Sequence, residues 1–322
     1  TLEGVHDWHP DFLAGFETTD LPLPEADRAA GEPADTELVA TLIRRTPAHQ
    51  SRRAVLYLHG WNDYFFQSHL ADSLLELGYD FYALDLRRYG RSLRRGQLFG
   101  FITDLDDYGA ELSAAAELIG EDHDELLLMG HSTGGLIASL WAAKNPGRIT
   151  GLVLNSPWLD LQGSAIFRTI GSPVIDRLGT TVPTSVIRLP DLGFYARTLH
   201  SSLGGEWDYD LELKMTPSPP IRVGWLRAIL LGHQRVAAGL GLTVPVLVMC
   251  STGTDFARKW HEGLSKVDTV LDVEQIVSRA TRLGRHVTIV RIEEGMHDLV
   301  LSAPDVRKTV LWEISRWERA YV

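Results

Sequence analysis

An apolar segment that ends in a Gly-x-Ser-x-Gly sequence restricts the fold of this chain more than any other feature. Leu126–Met129 predicts a buried strand, the run Gly-His-Ser-Thr-Gly follows at 130–134, and apolar residues from Leu136 onward predict a helix. The strand must turn sharply into the helix, so glycine is needed on both sides of Ser132, where side chains would clash with neighbouring backbone. Because such a turn exposes the hydroxyl of Ser132, we predict that this residue is a nucleophile.

Strands alternate with helices over most of the 322 residues. Short apolar runs predict buried strands, and apolar residues at helical spacing predict helices between them. The predicted strands are Leu38–Ile43, Ala54–Leu58, Asp80–Leu84, Glu125–Met129, Ile149–Leu154, Val244–Met249 and Val287–Ile292, with a turn at Leu21–Pro24 before the first. The predicted helices are Ser68–Leu77, Leu105–Ile119, Leu136–Ala143, Val273–Ala280 and Val306–Trp317. This alternation is typical of an α/β fold with a mostly parallel central sheet flanked by helices.

The alternation stops at residues 158–242, where strand candidates disappear and aromatic residues, Pro and Gly accumulate. We predict that this segment is a mainly helical cap inserted into a core formed by residues 1–157 and 243–322, because ligand sites lie beyond the carboxyl ends of such strands. A helical extension with no role in the site is the alternative. The aromatic cap also offers a face for a homodimer. Candidates to line a substrate pocket are His131, Trp158, Phe194, Tyr195, Trp207 and Trp225.

A serine nucleophile needs a general base and a carboxylate that orients the base. His297 follows the last predicted strand by a short loop, which places it at the carboxyl edge of the sheet together with Ser132. The carboxylate is expected between the strand Val244–Met249 and His297, and from position alone it stays open. The candidates are Asp255, Asp268 and Asp272, with Asp160 a distant fourth.

Acyl transfer also needs two N–H groups that point at the developing oxyanion. We expect one from the backbone of Thr133, directly after the nucleophile, and one from the backbone of Trp61, in the loop after the strand Ala54–Leu58. The side chain of His59 is expected to orient this loop. Asn62 and Asp63 either contact the substrate or cap the following helix, and the sequence leaves both roles open.

The composition argues against several classes of partner. With 31 Lys and Arg against 42 Asp and Glu, the formal net charge is −11, which disfavours a nucleic-acid partner. We find no transmembrane segment and no signal-peptide pattern in Thr1–Phe16. The single cysteine, Cys250, allows no intramolecular disulfide and fits a cytoplasmic protein. Because no metal-ligand spacing and no phosphate-binding loop is found, we expect neither a metal nor another cofactor.

Together these motifs resemble the α/β-hydrolases of the monoacylglycerol lipase and lysophospholipase group, also described as serine-aminopeptidase-like hydrolases. The resemblance covers the core on both sides of the cap. It is carried by His59-Gly60, Asp85–Ser92, Gly130–Gly135, Leu154–Pro157, Val244–Val248, Asp268–Val270 and Gly295–His297.

The resemblance implies Ser132 as nucleophile, His297 as base and Asp268 as acid. Relatives carry Asp, any residue, then Val or Leu at the acid, which Asp-Thr-Val at 268–270 matches and Asp-Phe-Ala at 255–257 does not. In relatives the acid follows its strand closely, whereas Ser251–Val267 intervenes here.

For the substrate, the resemblance implies a carboxylic ester that is cleaved through an acyl-enzyme, with an acylglycerol or lysophospholipid as the usual choice in this group. The aromatic cap favours a hydrophobic substrate, and an aryl ester or a lactone fits equally well. A non-catalytic receptor or scaffold for small molecules on the same fold is the alternative. An amide or peptide hydrolase is less favoured, because no acidic cluster that would bind a free amine is identifiable in the cap.

Overall fold

A computed structural model describes residues 7–46, 51–161, 174–188 and 191–322. The strands are β1 (His9–Pro10), β2 (Phe16–Pro22), β3 (Val39–Arg45), β4 (Arg53–Leu58), β5 (Asp80–Asp85), β6 (Glu125–His131), β7 (Gly151–Asn155), β8 (Val186–Ile187), β9 (Ile221–Arg222), β10 (Val246–Ser251) and β11 (Val287–Ile292). All but β8 and β9 form one nine-stranded sheet in the order β1-β2-β3-β5-β4-β6-β7-β10-β11.

Most of this sheet is parallel. Strands β5, β4, β6, β7, β10 and β11 pair in parallel, so their carboxyl ends meet at one edge. The antiparallel β1, β2 and β3 extend the other side of the sheet. The prediction of a turn at Leu21–Pro24 is wrong for Leu21 and Pro22, which belong to β2. This strand mixes charged and apolar residues and has no apolar run, so its pairing with β3 was not readable from hydrophobicity.

Among the described residues, seven named helices and one further helical stretch complete the core and the region of the predicted cap. They are α1 (Ser68–Glu76), α2 (Gly109–Gly120), α3 (Thr133–Lys144), α4 (Phe194–Leu199), α5 (Val223–Ala238), α6 (Val273–Ala280) and α7 (Pro304–Tyr321), and residues 174–181 are helical as well. The predicted α/β fold is confirmed. Helix α3 begins earlier than predicted, directly after Ser132, so its N-terminus faces the carboxyl edge of the sheet.

The sheet separates two apolar layers. Along β6, Leu126 and Leu128 pack on one face of the sheet, whereas Leu127 and Met129 pack on the other. Successive side chains of a strand point to opposite faces, and both faces are covered by helices. The result is a rigid platform whose carboxyl edge carries the loops of the candidate site.

Residues 158–242 contain helices α4 and α5 and the two-stranded ribbon of β8 and β9, which the sequence did not predict. Helix α5 packs closely on α3, since a Cβ added at Gly232 would lie 3.2 Å from the side chain of Leu140. Within the described part of the chain, no helix is both long and apolar enough to cross a membrane.

Candidate active site

Ser132 lies at the turn between β6 and α3, with φ at 51° and ψ at −117°. This region of conformational space is strained for serine and persists only where the surroundings enforce it. A Cβ on Gly130 would lie 2.7 Å from the carbonyl oxygen of Gly134, and one on Gly134 would lie 2.3 Å from that of His59. Glycine therefore allows the chain to turn so sharply that the hydroxyl of Ser132 projects at the edge of the sheet.

The loop after β11 brings His297 to Ser132. Its Nε2 lies 3.1 Å from the Oγ of Ser132, and its Nδ1 lies 2.9 Å from Oδ2 of Asp268. His297 and Asp268 are 3% and 0% exposed. Because an ionised carboxylate can only accept, Nδ1 carries the proton, and the lone pair of Nε2 faces the serine hydroxyl. This is the geometry that proton transfer from a serine to an imidazole requires.

The chain between β10 and Asp268 explains the unusual spacing in the sequence. Residues 252–267 leave the end of the strand and return to it. On the return, the N–H of Asp268 donates to the carbonyl of Gly253 at 2.9 Å, and the N–H of Asp255 donates to the carbonyl of Asp268 at 3.0 Å. The intervening segment is therefore an excursion, after which Asp268 lies beside the end of β10.

Two of the four carboxylate candidates, Asp268 and Asp255, have different partners. Asp268 Oδ1 accepts the backbone N–H groups of Val270 at 2.8 Å and Leu271 at 2.7 Å, which leaves Oδ2 for His297. The side chain of Asp255, 38% exposed, instead has its Oδ2 3.1 Å from Nε2 of His261. The structure brings Asp268 to His297, while Asp255 is engaged elsewhere.

The two predicted oxyanion donors lie beside the nucleophile. Trp61 and Thr133 both line the cavity that contains Ser132. Among the described residues, neither backbone N–H has a hydrogen-bond acceptor. His59 orients the Trp61 loop, because its Nε2 accepts the N–H of Leu86 at 3.1 Å and its Nδ1 donates to the carbonyl of Gly60 at 2.8 Å.

Sequence reasoning missed Asn155, a buried residue that links the nucleophile to the histidine loop. Its carbonyl oxygen accepts the N–H of Ser132 at 3.1 Å. Its side-chain amide donates to Asp298 Oδ1 at 2.6 Å and accepts the N–H of Leu299 at 3.1 Å. Asp298 directly follows His297, so one residue at the end of β7 holds the nucleophile turn through its backbone carbonyl and the histidine loop through its side chain. Asn155 lies in the segment 154–157 that carried the family resemblance, but only the fold shows its partners.

A cavity of about 360 Å³ opens onto the Ser132 hydroxyl. Of the predicted pocket residues, His131, Trp158, Tyr195 and Trp225 line it. The prediction was wrong for Phe194 and Trp207, which lie outside it. The ring of Phe194 packs on Trp260 at 6.0 Å, and Trp207 stacks on His69 at 4.6 Å, with its indole donating to the carbonyl of Leu301. Aromatic content alone cannot distinguish a residue of the pocket wall from one that packs residues 158–242 against the rest of the chain.

One wall of the cavity is polar. Lys214 Nζ lies 2.7 Å from Oδ1 of Asp63, and both side chains are almost fully buried. Burial by itself would raise the pKa of Asp63, but the charge of Lys214, its hydrogen bond and the neighbouring imidazoles of His131 and His59 together outweigh burial and hold the pKa below its ordinary value. Asp63 Oδ2 and the hydroxyl of Tyr195 are buried without a hydrogen-bond partner in the described part of the chain. These atoms are available to a polar group of a ligand.

His131 is buried next to the base, with its ring 4.8 Å from that of His297. Burial lowers the pKa of His131 despite the attraction of Asp298, so the ring stays neutral at neutral pH. Its Nδ1 lies 3.1 Å from the carbonyl of Asn155, to which it donates. Because His131 is neutral, its ring adds no positive charge beside the imidazolium that His297 would form when it takes a proton. In the ranges that the structure describes, no three carboxylate, imidazole or thiol groups come together as metal ligands would.

Comparison with known families identifies the chain. The family model described as serine aminopeptidase, S33, in the Hydrolase_4 family, matches residues 49–305, which include Ser132, Asp268 and His297. This chain belongs to that family. It is an α/β-hydrolase of the monoacylglycerol lipase-like group.

Individual relatives agree with this assignment. A monoacylglycerol lipase of Mycolicibacterium smegmatis is 24% identical over 276 residues, which cover 84% of this chain and 90% of the relative. The structure of a monoacylglycerol lipase of Paleococcus ferrophilus superposes with a TM-score of 0.61 at 17% identity, covering 88% of this chain and 98% of that one. A soluble variant of monoglyceride lipase from Saccharomyces cerevisiae gives 0.62 at 16% identity, with 92% and 98% covered. The solved structures show the shared fold.

Proposed function

We propose that this family member is a serine esterase that cleaves a carboxylic ester of a hydrophobic acid through an acyl-enzyme on Ser132. The observation that carries the proposal is the position of His297, within hydrogen-bond distance of both Ser132 and Asp268, in the lining of the cavity. Similarity to monoacylglycerol lipases supports hydrolysis of an ester.

In the proposed reaction, Ser132 Oγ attacks the ester carbonyl while His297 Nε2 takes the hydroxyl proton. Asp268 stabilises the imidazolium that forms and keeps its Nδ1 proton in place. The oxyanion accepts hydrogen bonds from the backbone N–H groups of Trp61 and Thr133. The imidazolium then protonates the departing alcohol. A water molecule loses a proton to His297 and attacks the acyl carbon; the bond from that carbon to Ser132 Oγ breaks, Oγ takes the proton back from His297, and the acid is released.

The cavity supports an ester whose alcohol carries hydroxyl groups, such as an acylglycerol, over an aryl ester or a lactone. Trp158, Ile221 and Trp225 provide apolar wall for a hydrocarbon chain. Asp63 Oδ2 can accept a hydrogen bond from a hydroxyl group, and the hydroxyl of Tyr195 can donate or accept one. A polyol therefore satisfies both buried groups. We also propose that residues 158–242 act as the cap of the site, since they supply much of this cavity wall.

The test is turnover of p-nitrophenyl butyrate by the wild-type protein, Ser132→Ala and the control Ser73→Ala. Ser73 lies on α1, where its hydroxyl donates to the carbonyl of His69 at 2.8 Å. We expect turnover by the wild type and Ser73→Ala and a loss of at least about 10⁴-fold in Ser132→Ala. Ester binding without turnover by the wild type would instead favour the receptor alternative.

For the alcohol, a monoacylglycerol is compared with the methyl ester of the same fatty acid. We expect kcat/KM to be at least about tenfold higher for the monoacylglycerol, and Tyr195→Phe to reduce this preference, because it removes one of the two buried polar groups that a polyol would satisfy. Equal values for the two esters would reject the polyol assignment and leave the esterase proposal intact.

A further inference from the structure

Three consecutive residues of the oxyanion loop bond through their side chains to one short segment of the region proposed as cap. We call this arrangement, formed by residues 61–63 and 214–218, the clasp. Its contacts are Trp61 Nε1 to Ser218 Oγ at 3.3 Å, Asn62 Nδ2 to the carbonyl of Met215 at 2.8 Å, Met215 N–H to Asn62 Oδ1 at 2.9 Å, and Lys214 Nζ to Asp63 Oδ1 at 2.7 Å.

Asn62 is the central residue of the clasp. Its amide bonds to both the N–H and the carbonyl of Met215. A side chain of this length can do so only if it carries a hydrogen-bond donor and an acceptor on the same carbon, as the amide of asparagine does. Its backbone has φ at 49°, in the left-handed region where asparagine is tolerated better than most residues. The two hydrogen bonds therefore hold the backbone of Asn62, the residue directly after Trp61, in this conformation.

The side chain of Trp61 is held independently of its backbone. Its ring lies 4.2 Å from that of Trp225 and 5.5 Å from that of Phe99. Gly60, on the other side of Trp61, approaches Ser132 so closely that an added Cβ would lie 3.1 Å from the serine Cβ. The N–H of Trp61 lies in the peptide between Gly60 and Trp61, so its direction depends on how the chain is anchored on both sides of Trp61. The close approach of Gly60 to Ser132 anchors one side, and the bonds of Asn62 to Met215 anchor the other.

We infer that Asn62 is a positioning residue that aims the Trp61 N–H at the oxyanion, and that it does so by holding the backbone of Met215. The inference rests on the proposed function. It makes the cap segment 214–218 part of the catalytic apparatus: a protein without the clasp binds its ester but stabilises the tetrahedral intermediate poorly.

The experiment compares Asn62→Gly, Asn62→Asp and the control Asn145→Ala with the wild type. Glycine accepts the backbone conformation and removes both bonds to Met215, whereas aspartate retains the acceptor and loses the donor. Asn145 lies after α3, away from Ser132, and its amide makes one bond to the carbonyl of Trp141. The measurements are kcat and KM for p-nitrophenyl butyrate, inhibition by an alkyl trifluoromethyl ketone, and the melting temperature.

We expect kcat of Asn62→Gly to fall by about 10- to 100-fold, less than the 10²- to 10³-fold for complete loss of an oxyanion donor. KM should change by less than about threefold, and the inhibitor, whose hemiketal places an oxyanion at the same position, should weaken in parallel with kcat. Asn62→Asp should lie between Asn62→Gly and the wild type, while Asn145→Ala should retain wild-type kcat.

Two results would overturn the inference: an unchanged kcat in both Asn62 variants, or a loss of kcat with undiminished affinity for the trifluoromethyl ketone. If Asn62→Gly does not fold, Asn62→Asp decides by the same two criteria. Failure of the proposed function looks different, because the wild type itself would then not turn over the ester, or Ser132→Ala would retain activity regardless of the Asn62 results.

Discussion

Replacing Asp268 by asparagine would retain the shape of the side chain and remove its charge. The present Oδ1 accepts two backbone N–H groups, so an amide oxygen would stay on that side and turn its NH₂ group toward Nδ1 of His297. An NH₂ group cannot accept, so the imidazole would carry its proton on Nε2 instead, facing Ser132. That tautomer cannot take the serine proton. In a well-characterised Ser-His-Asp triad this change lowers kcat about 10⁴-fold, equivalent to about 5 kcal/mol, and we expect a decrease of that order here.

The assay is kcat for p-nitrophenyl butyrate, and Asp255→Asn is the matched control. Asp255 is half-exposed and interacts with His261, so its variant should remain within about threefold of the wild type. Asp268→Asn and Asp255→Asn should both melt near the temperature of the wild type, which would show that they are folded. A decrease above 100-fold in Asp255→Asn, or a rate within tenfold of the wild type in Asp268→Asn, would refute the argument.

Three further predictions concern buried polar groups. Lys214→Met should lower the free energy of unfolding by about 3–5 kcal/mol, because Asp63 then keeps a buried charge without its partner. The double variant Lys214→Met/Asp63→Asn should recover part of the lost free energy of unfolding, measured by urea titration. Burial lowers the pKa of His233 to about 4, so stability falls as the pH drops below 6.5; the loss from pH 7 to 5 should be about 2 kcal/mol smaller in His233→Gln. Asn155→Leu should destabilise the protein by about 2–3 kcal/mol in thermal unfolding, since Asp298 loses its buried donor.

Much of the fold was readable from the sequence because its main strands are apolar runs. A run such as Leu126–Met129 is buried on both faces and reads as strand without knowledge of its partners. Strand β2 was not readable in this way, because it owes its place to pairing with β3. The ribbon of β8 and β9 is too short for any period to appear.

The residues of the candidate site also fall into two groups, those that local sequence predicts and those that only the fold brings together. Ser132 and His297 were found because local sequence fixes their positions at strand ends. Asp268 was found by resemblance, and only the return of residues 252–267 to β10 shows how it reaches His297. The bonds of Asn62 and Lys214 to their partners cross more than 150 positions of sequence, with separations of 153 and 151 residues, and no local pattern encodes such pairs.

Covalent labelling tests the central claim most directly. The wild-type protein and Ser132→Ala are treated with a long-chain fluorophosphonate, and the intact proteins and their peptides are measured by mass spectrometry. A fluorophosphonate reacts with a serine only where a base activates it, so the account predicts one label per wild-type chain, located on Ser132, and none on Ser132→Ala. Stoichiometric label on another residue, or ester turnover by Ser132→Ala at the wild-type rate, would contradict it.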